Sequence, residues 1–211
     1  MPRPKGARDA DYEEKRRLLL ARMTARLMRR EVARPSLRQL AEAAEVTVPT
    51  LKHYFGSRSE IVEAILVEYR RHGSERLARV SASDLPFAES IREFAHGLIF
   101  GMRAAREVRL GDVFAVSLAE GLLDPEIGPA ALKYIVDPSV DALAARLRLH
   151  IERGEMVEAD VNAAALMLLS PILIAVLHQD QLCGARHRPV ETAALADEVS
   201  AAFVRAYAKP D

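Results

Sequence analysis

Between Thr47 and Tyr54 the chain reads TVPTLKHY, the densest local set of side chains able to recognise a polyanion by hydrogen bonding and charge. Lys52 can reach a guanine edge or a phosphate. Thr47 and Thr50 can donate to phosphate or touch a thymine methyl. His53 and Tyr54 carry polar tips suited to a nucleic-acid backbone. Upstream, Arg38 is placed to approach a base or phosphate, with Ser36 beside the backbone.

The elements that must position these groups are legible in the flanking pattern. Leu37, Leu40, Ala41 and Ala44 fall at i, i+3, i+4 and i+7, one apolar stripe on a helix that Ser36 is placed to cap. After Glu45 and Val46 a second helix can start, with Thr47 as N-cap and Pro49 in the first turn, where a missing N–H costs little. Its apolar positions, Val48, Leu51 and Phe55, are again spaced by three and four. Ser57 then caps a third helix, with Glu60 in capping-box position. Two helices joined by a tight turn, the second short and polar on one side, describe a helix-turn-helix. Such a unit lays its second helix, here Val48–Tyr54 with Val48 and Pro49 at its entry, in the DNA major groove.

The run LRQLAEAAEVTVPTLKHYFGSRSEIVEAI resembles the DNA-binding signature of TetR-type transcription regulators. The matching marks are the L-x-x-L-A opening, Val46 after the turn, Thr50-Leu51, Phe55-Gly56-Ser57, the basic Arg58 and Glu60-Ile61. About 50 N-terminal residues carry the likeness closely, and the remainder agrees only in length and helical character. The resemblance implies an all-α fold, a homodimer, a palindromic double-stranded DNA operator and a small-molecule effector that releases it. It also puts Arg58 where the family usually has a phosphate-binding lysine, at a helix start whose N–H groups favour the same anion. Two positions depart from the pattern. Glu45 replaces the usual turn glycine, and Lys52 stands where an aromatic residue usually follows Thr-Leu.

Composition limits the alternatives. Half of the 211 residues are apolar, enough for a sizeable core, while Gly, Pro and β-branched residues are too sparse for a β-rich fold. The zero net charge hides an asymmetry: residues 1–60 hold 14 Lys and Arg against 8 Asp and Glu, leaving 16 against 22 in residues 61–211. A basic head on an acidic body suits a chain that meets a polyanion with one end. The single cysteine, Cys183, excludes an intramolecular disulfide and fits a cytoplasmic location. The N-terminus lacks the apolar segment of a signal peptide. The apolar run Val161–Leu177 is short for a bilayer and holds Asn162, Ser170 and Pro171, so it reads as a buried helix and no membrane partner is expected.

In chain order, residues 1–9 form a basic arm with Arg3, Lys5 and Arg8, able to reach DNA. Residues 11–30 read as the first helix, with Leu19, Leu20, Met23 and Leu27 inside and a row of arginines outside. A division after Gly73 gives a DNA-binding domain at 1–73 and a helical effector-binding and dimerisation domain at 74–211, with SASDLP (81–86) as a second candidate boundary. The body reads as helices over 87–102, 109–122, 130–136, 140–153, 160–182 and 191–208, with a loop-rich interval around Asp137-Pro138. The expected fold is thus all-α, an N-terminal three-helix helix-turn-helix head with a C-terminal helical body for ligand binding and dimerisation.

No G-x-S-x-G, H-E-x-x-H or P-loop pattern occurs, so no catalytic residue and no cofactor is expected. His178, Cys183 and His187 lie close in sequence but lack the ligand spacing of a zinc or copper site, and no metal is expected. Polar residues that interrupt apolar faces, His96, Arg103, Ser117, Tyr134, Asn162, His178, Gln179 and Gln181, with Phe94, Leu98, Phe100, Met102, Phe114, Val116 and Met167 as wall, are candidates for a ligand pocket. The stripes Val161, Ala164, Ala165, Leu168, Leu169, Ile172 and Leu173, with Leu195, Val199, Ala202, Phe203 and Ala206, are candidates for a four-helix dimer interface. Two other readings stay open: an enzyme with an accessory DNA-binding head, and a helical protein whose basic head binds acidic protein surfaces.

Overall fold

The structure is a computed structural model that describes residues 5–29, 34–105 and 108–210, with backbone alone for 5–10. The described residues form only helices, apart from one isolated antiparallel bridge between Met156 and Ala208. The chain divides into two compact units, Met1–Tyr69 with Val116–Ala131, and Arg70–Ala115 with Leu132–Asp211.

The first unit begins with α1 (Lys5–Leu27), followed by α2 (Leu37–Ala43), α3 (Val48–Phe55) and α4 (Arg58–His72), the last running past its edge. Helix α1 starts at Lys5, so part of the expected arm is helical. Arg3 lies outside the described residues, and of the Lys5 and Arg8 side chains nothing is described. Leu19, Leu20, Met23 and Leu27 of α1 are buried, as are Leu40, Ala41, Leu51, Phe55, Ile61, Val62, Ile65 and Leu66. Each short helix is fixed at its start by a side chain. Ser36 accepts from the Gln39 N–H while the Gln39 side chain accepts from the Ser36 N–H, a complete capping box. Thr47 accepts from the Thr50 N–H, with Pro49 in the first turn. Ser57 and Glu60 close a second box, with Ser57 N to Glu60 Oε2 at 2.7 Å. A helix of seven or eight residues is marginal alone, and such caps supply the orphan N–H groups with partners.

The later helices are α5 (Ser74–Ser81), α6 (Phe87–Arg103), α7 (Leu110–Leu123), α8 (Gly128–Ala131), α9 (Asp137–Glu152), α10 (Val161–Asp180), α11 (Gly184–His187) and α12 (Thr192–Tyr207). Helix α7 carries residues of both units. Pro138 does not sit in a loop as its type suggested. It stands in the first turn of α9, where it lacks only an N–H that has no helical partner, and the chain enters through a π turn at Leu132–Val136.

In the second unit α6 packs on α12 and α10, and α9 packs on α10 and α5. Polar groups in this core are tied down. His150, fully buried, contacts Glu155 through Nδ1 and Ser90 Oγ through Nε2 at 2.8 Å. Arg146, 3% exposed, donates to the Ser90 and Ala82 carbonyls and to Glu93. Helix α10 is the one described helix long and apolar enough to cross a membrane, and half of it is packed inside the unit.

Of the stripes expected to form a dimer interface, Phe203 and the α10 part from Ala164 to Leu173 are this internal core, while Val161, Leu195 and Val199 are half-buried and Ala202 and Ala206 exposed. Ala164, Ala165, Leu168, Leu169, Ile172 and Leu173 are all buried among α6, α9 and α12. Helix α10 is apolar on every side, so its sequence pattern does not say which side faces inward. The exposed side carries Leu166, Met167, Ser170, Pro171 and Ile174.

Candidate nucleic-acid interface and ligand groove

The turn between α2 and α3 sets how the second helix leaves the first. Glu45 holds it with φ 58, a left-handed conformation. Arg22 of α1 braces the turn: its Nη1 donates to the Ala44 carbonyl at 3.1 Å and to Glu45 Oε2 at 2.7 Å. Val46 N donates to the Ala41 carbonyl, closing the turn from behind. The bracing arginine was legible only as part of a basic face on α1, because its partner lies 23 residues away.

With α3 so held, Leu51 and Phe55 point into the core and Thr47, Pro49, Lys52 and His53 are exposed. Val48 and Thr50 are half-buried, and the Thr50 hydroxyl shares a hydrogen bond with that of Thr47 at 2.9 Å. Tyr54 presents its ring to α1: Tyr12 stacks on it at 4.7 Å, and Lys15 Nζ lies 5.8 Å from its centroid. These two α1 residues were missed in the sequence, which gives no sign that α1 reaches the recognition helix. On α2, Ser36 is engaged in its cap, and Arg38, exposed, makes an i,i+4 pair with Glu42 at 3.0 Å. An exposed pair of this kind is worth little and leaves Arg38 available.

Arg58 departs from the expectation that it faces a phosphate. Its two terminal nitrogens grip Glu120 of α7 at 2.8 and 2.6 Å, and its Nε donates to the Pro35 carbonyl at 2.9 Å. Arg34 adds a second cation to Glu120 at 3.3 Å and one to Asp124 at 3.2 Å. The cause is Glu120 itself, only 3% exposed, since a carboxylate taken from water demands a counter-charge. The Ser57 N–H at the head of α4 is likewise taken by Glu60. That bond holds the Glu60 carboxyl below the ordinary glutamate range.

A second basic feature lies in the same unit. Arg22 and Arg26 of α1 and Arg29 just beyond it, with Gln39 and Glu42 of α2, line a depression of about 440 Å³. One terminal nitrogen of Arg26 is buried there without a hydrogen-bond partner.

In the second unit a groove of about 290 Å³ runs between α5, α6 and α9. Of the residues expected to line a ligand pocket, Phe94, Leu98 and Phe100 are found in its wall. Others are engaged elsewhere. His96 and Arg92 both pair with Asp197 at 2.8 Å, and the His96 hydrogen bond, then that of Arg92, lowers the Asp197 pKa. Arg103 binds Asp180 and the Thr192 hydroxyl. Phe114 is fully buried core, and Ser117 is buried in the first unit. Tyr134 lies in the π turn under Lys133. Met167 is exposed and accepts from the Tyr207 hydroxyl at 3.3 Å. His178 Nδ1 accepts from the Gln179 amide at 2.7 Å. Interrupting an apolar stripe marked residues that bond across helices, not residues that face a cavity.

The comparisons follow this anatomy. Residues 24–65 match the family model described as bacterial regulatory proteins, tetR family. No curated protein matches the chain. Among solved structures, a TetR-family transcriptional regulator from Mesorhizobium loti superposes with a TM-score of 0.72 at 17% identity, over 94% of this chain and 98% of that one. SmeT, the repressor of the Stenotrophomonas maltophilia multidrug efflux pump SmeDEF, gives 0.60 at 21% identity, over 92% and 90%. FadR from Bacillus subtilis, solved with stearoyl-CoA, gives 0.66 at 16% identity, over 88% and 96%. At these identities the likeness is one of fold.

Proposed function

We propose, for a chain whose residues 24–65 match the tetR-family model and whose fold superposes on such a structure over 94% of its length, that it is a sequence-specific, ligand-responsive transcription regulator acting as a repressor. The observation that carries the reading is the capped α3, braced by Arg22 and presenting Thr47, Pro49, Lys52 and His53 to solvent. Lys52 and Arg38 are the base-reading candidates in a major groove, with Thr47 and His53 on phosphate. The arginines of α1 add salt-dependent affinity. Arg58 acts through Glu120 to hold α4 in place and contacts no phosphate unless that pair opens.

The chain would work in the cytoplasm as a homodimer, with two heads on a palindromic operator. The exposed apolar side of α10 and the small residues Ala201 and Ala202 of α12 are the surface for a second copy. A small molecule in the groove of the second unit would favour a state that fits DNA poorly, and must bind that state more tightly. No enzymatic role is invoked. The test is selection of duplexes from a random pool by purified protein at near-physiological salt. An enriched palindrome, lost in Lys52→Ala, is the expected result. Binding of any duplex alike, abolished by salt and unchanged in Lys52→Ala, would favour a basic head that binds acidic surfaces without reading sequence.

A further inference from the structure

The groove of the second unit combines an apolar interior with a cationic edge. Leu77, Phe94, Leu98, Leu110 and Leu169 form its walls, and Phe100 stands beside them 75% exposed. Its charged residues are Arg76, Arg79 and Arg146 against the single Glu93. This excess is local. Residues 61–211 as a whole hold 16 Lys and Arg against 22 Asp and Glu, so the groove reverses the sign of its surroundings.

The cations differ in how they are held. Arg146 is fixed by two carbonyls and by Glu93, yet its Nε is buried without a partner. Arg79 is exposed and makes no ion pair among the described residues. Glu93 already answers Arg146 with one oxygen that takes both terminal nitrogens. A cationic ligand would have to compete with Arg146 for Glu93 and approach two further arginines. An anion meets the reverse.

Space is kept open beside these charges. Gly97 and Gly101, one turn apart on α6, line the groove, and a Cβ at either would meet nothing within 4 Å. Glycine inside a helix is unfavourable relative to alanine, so the sequence keeps room there against local helix preference. At roughly 30 Å³ per water-sized group, a groove of 290 Å³ admits about ten non-hydrogen atoms.

We propose that this groove binds an amphipathic carboxylate, its anionic end toward Arg79 and Arg76 and an apolar body of about seven carbons along Gly97, Gly101 and Phe100. The ligand class stands on the groove alone; its role as effector rests on the regulator reading above. No covalent step is involved.

Octanoate is the probe, measured by calorimetry on the full chain, with octanol and octylamine as controls of equal length. Octanoate binds, octanol binds at least tenfold more weakly, and octylamine does not bind. Shortening to hexanoate weakens binding roughly tenfold, about three- to fourfold per methylene removed. Arg79→Gln, a surface change, weakens octanoate at least fivefold. Gly101→Leu fills the groove without lowering the thermal midpoint and abolishes binding. Equal binding of octylamine, no binding of octanoate, or unchanged binding by Gly101→Leu would each overturn the proposal. A separate arm titrates octanoate into the complex with the selected duplex. Groove binding without release of that duplex keeps the ligand class and removes only its role as effector.

Discussion

Glu45 occupies a left-handed backbone position at φ 58 that glycine adopts freely and other residues reach at a cost of about 1 kcal/mol. The side chain that incurs this strain also supplies a carboxylate for Arg22, so the two effects offset. Glu45→Gly is expected to change stability by less than 1 kcal/mol, because it relieves strain and loses an exposed pair together. Arg22→Ala costs less in the Glu45→Gly background than in the parent, which a double-mutant cycle in urea measures. Equal costs would mean that Arg22 acts only through the Ala44 carbonyl. Glu60 gives a pH signature of the same kind. Its pKa is depressed in the folded chain by the Ser57 N–H, so its contribution is present above the ordinary glutamate value and lost as pH falls through the lower folded one. Glu60→Ala therefore lowers the thermal midpoint at pH 7, and the gap from the parent narrows by pH 3. A gap that stays constant would assign the loss to packing.

At the scale of elements, the head is held by a charge cluster that no local pattern announces. Glu120 lies on α7, Arg58 opens α4 and Pro35 precedes α2, so one buried carboxylate ties together three segments of the first unit. Removing one member of a buried pair leaves the other uncompensated. Glu120→Ala is expected to destabilise the chain by about 3 kcal/mol, the low end for such pairs because Arg58 keeps some exposure. The double change Arg58→Met with Glu120→Leu removes both charges and recovers most of that loss. Thermal and urea midpoints of the three proteins decide the matter. If Glu120→Ala alone is neutral, the cluster does not hold the head.

For the whole molecule the open question is what covers the outer side of α10. Leu166, Met167 and Ile174 are 47%, 60% and 59% exposed on one stripe, a large apolar surface to leave in water. Sedimentation of the parent is expected to give a dimer. Ile174→Glu with Leu166→Glu gives a folded monomer that binds the selected palindrome far more weakly, because each half-site is then held alone. A dimer that survives both charges would place the interface elsewhere.

The sequence by itself determined the local features: the helical class, the three capped helices of the head, and the turn and its departure at Glu45. These follow from spacing of three and four and from side chains that bond their own neighbours, interactions that span at most a few residues. It also marked Thr47, Lys52, His53 and Arg38 on the exposed side of the head, since amphipathic pattern decides which side of a short helix is buried. Only the tertiary structure decided the rest. The inward turn of Arg58 depends on Glu120, 62 residues away, and the cover over Tyr54 depends on Tyr12. The side of α10 that is buried depends on α6, α9 and α12, because a helix apolar all round carries no direction of its own. The sequence marked only Phe94, Leu98 and Phe100 of the groove, not its course. Its walls come from four helices and the start of α7, and its room comes from Gly97 and Gly101, residues whose lack of a side chain gives a pattern search nothing to find.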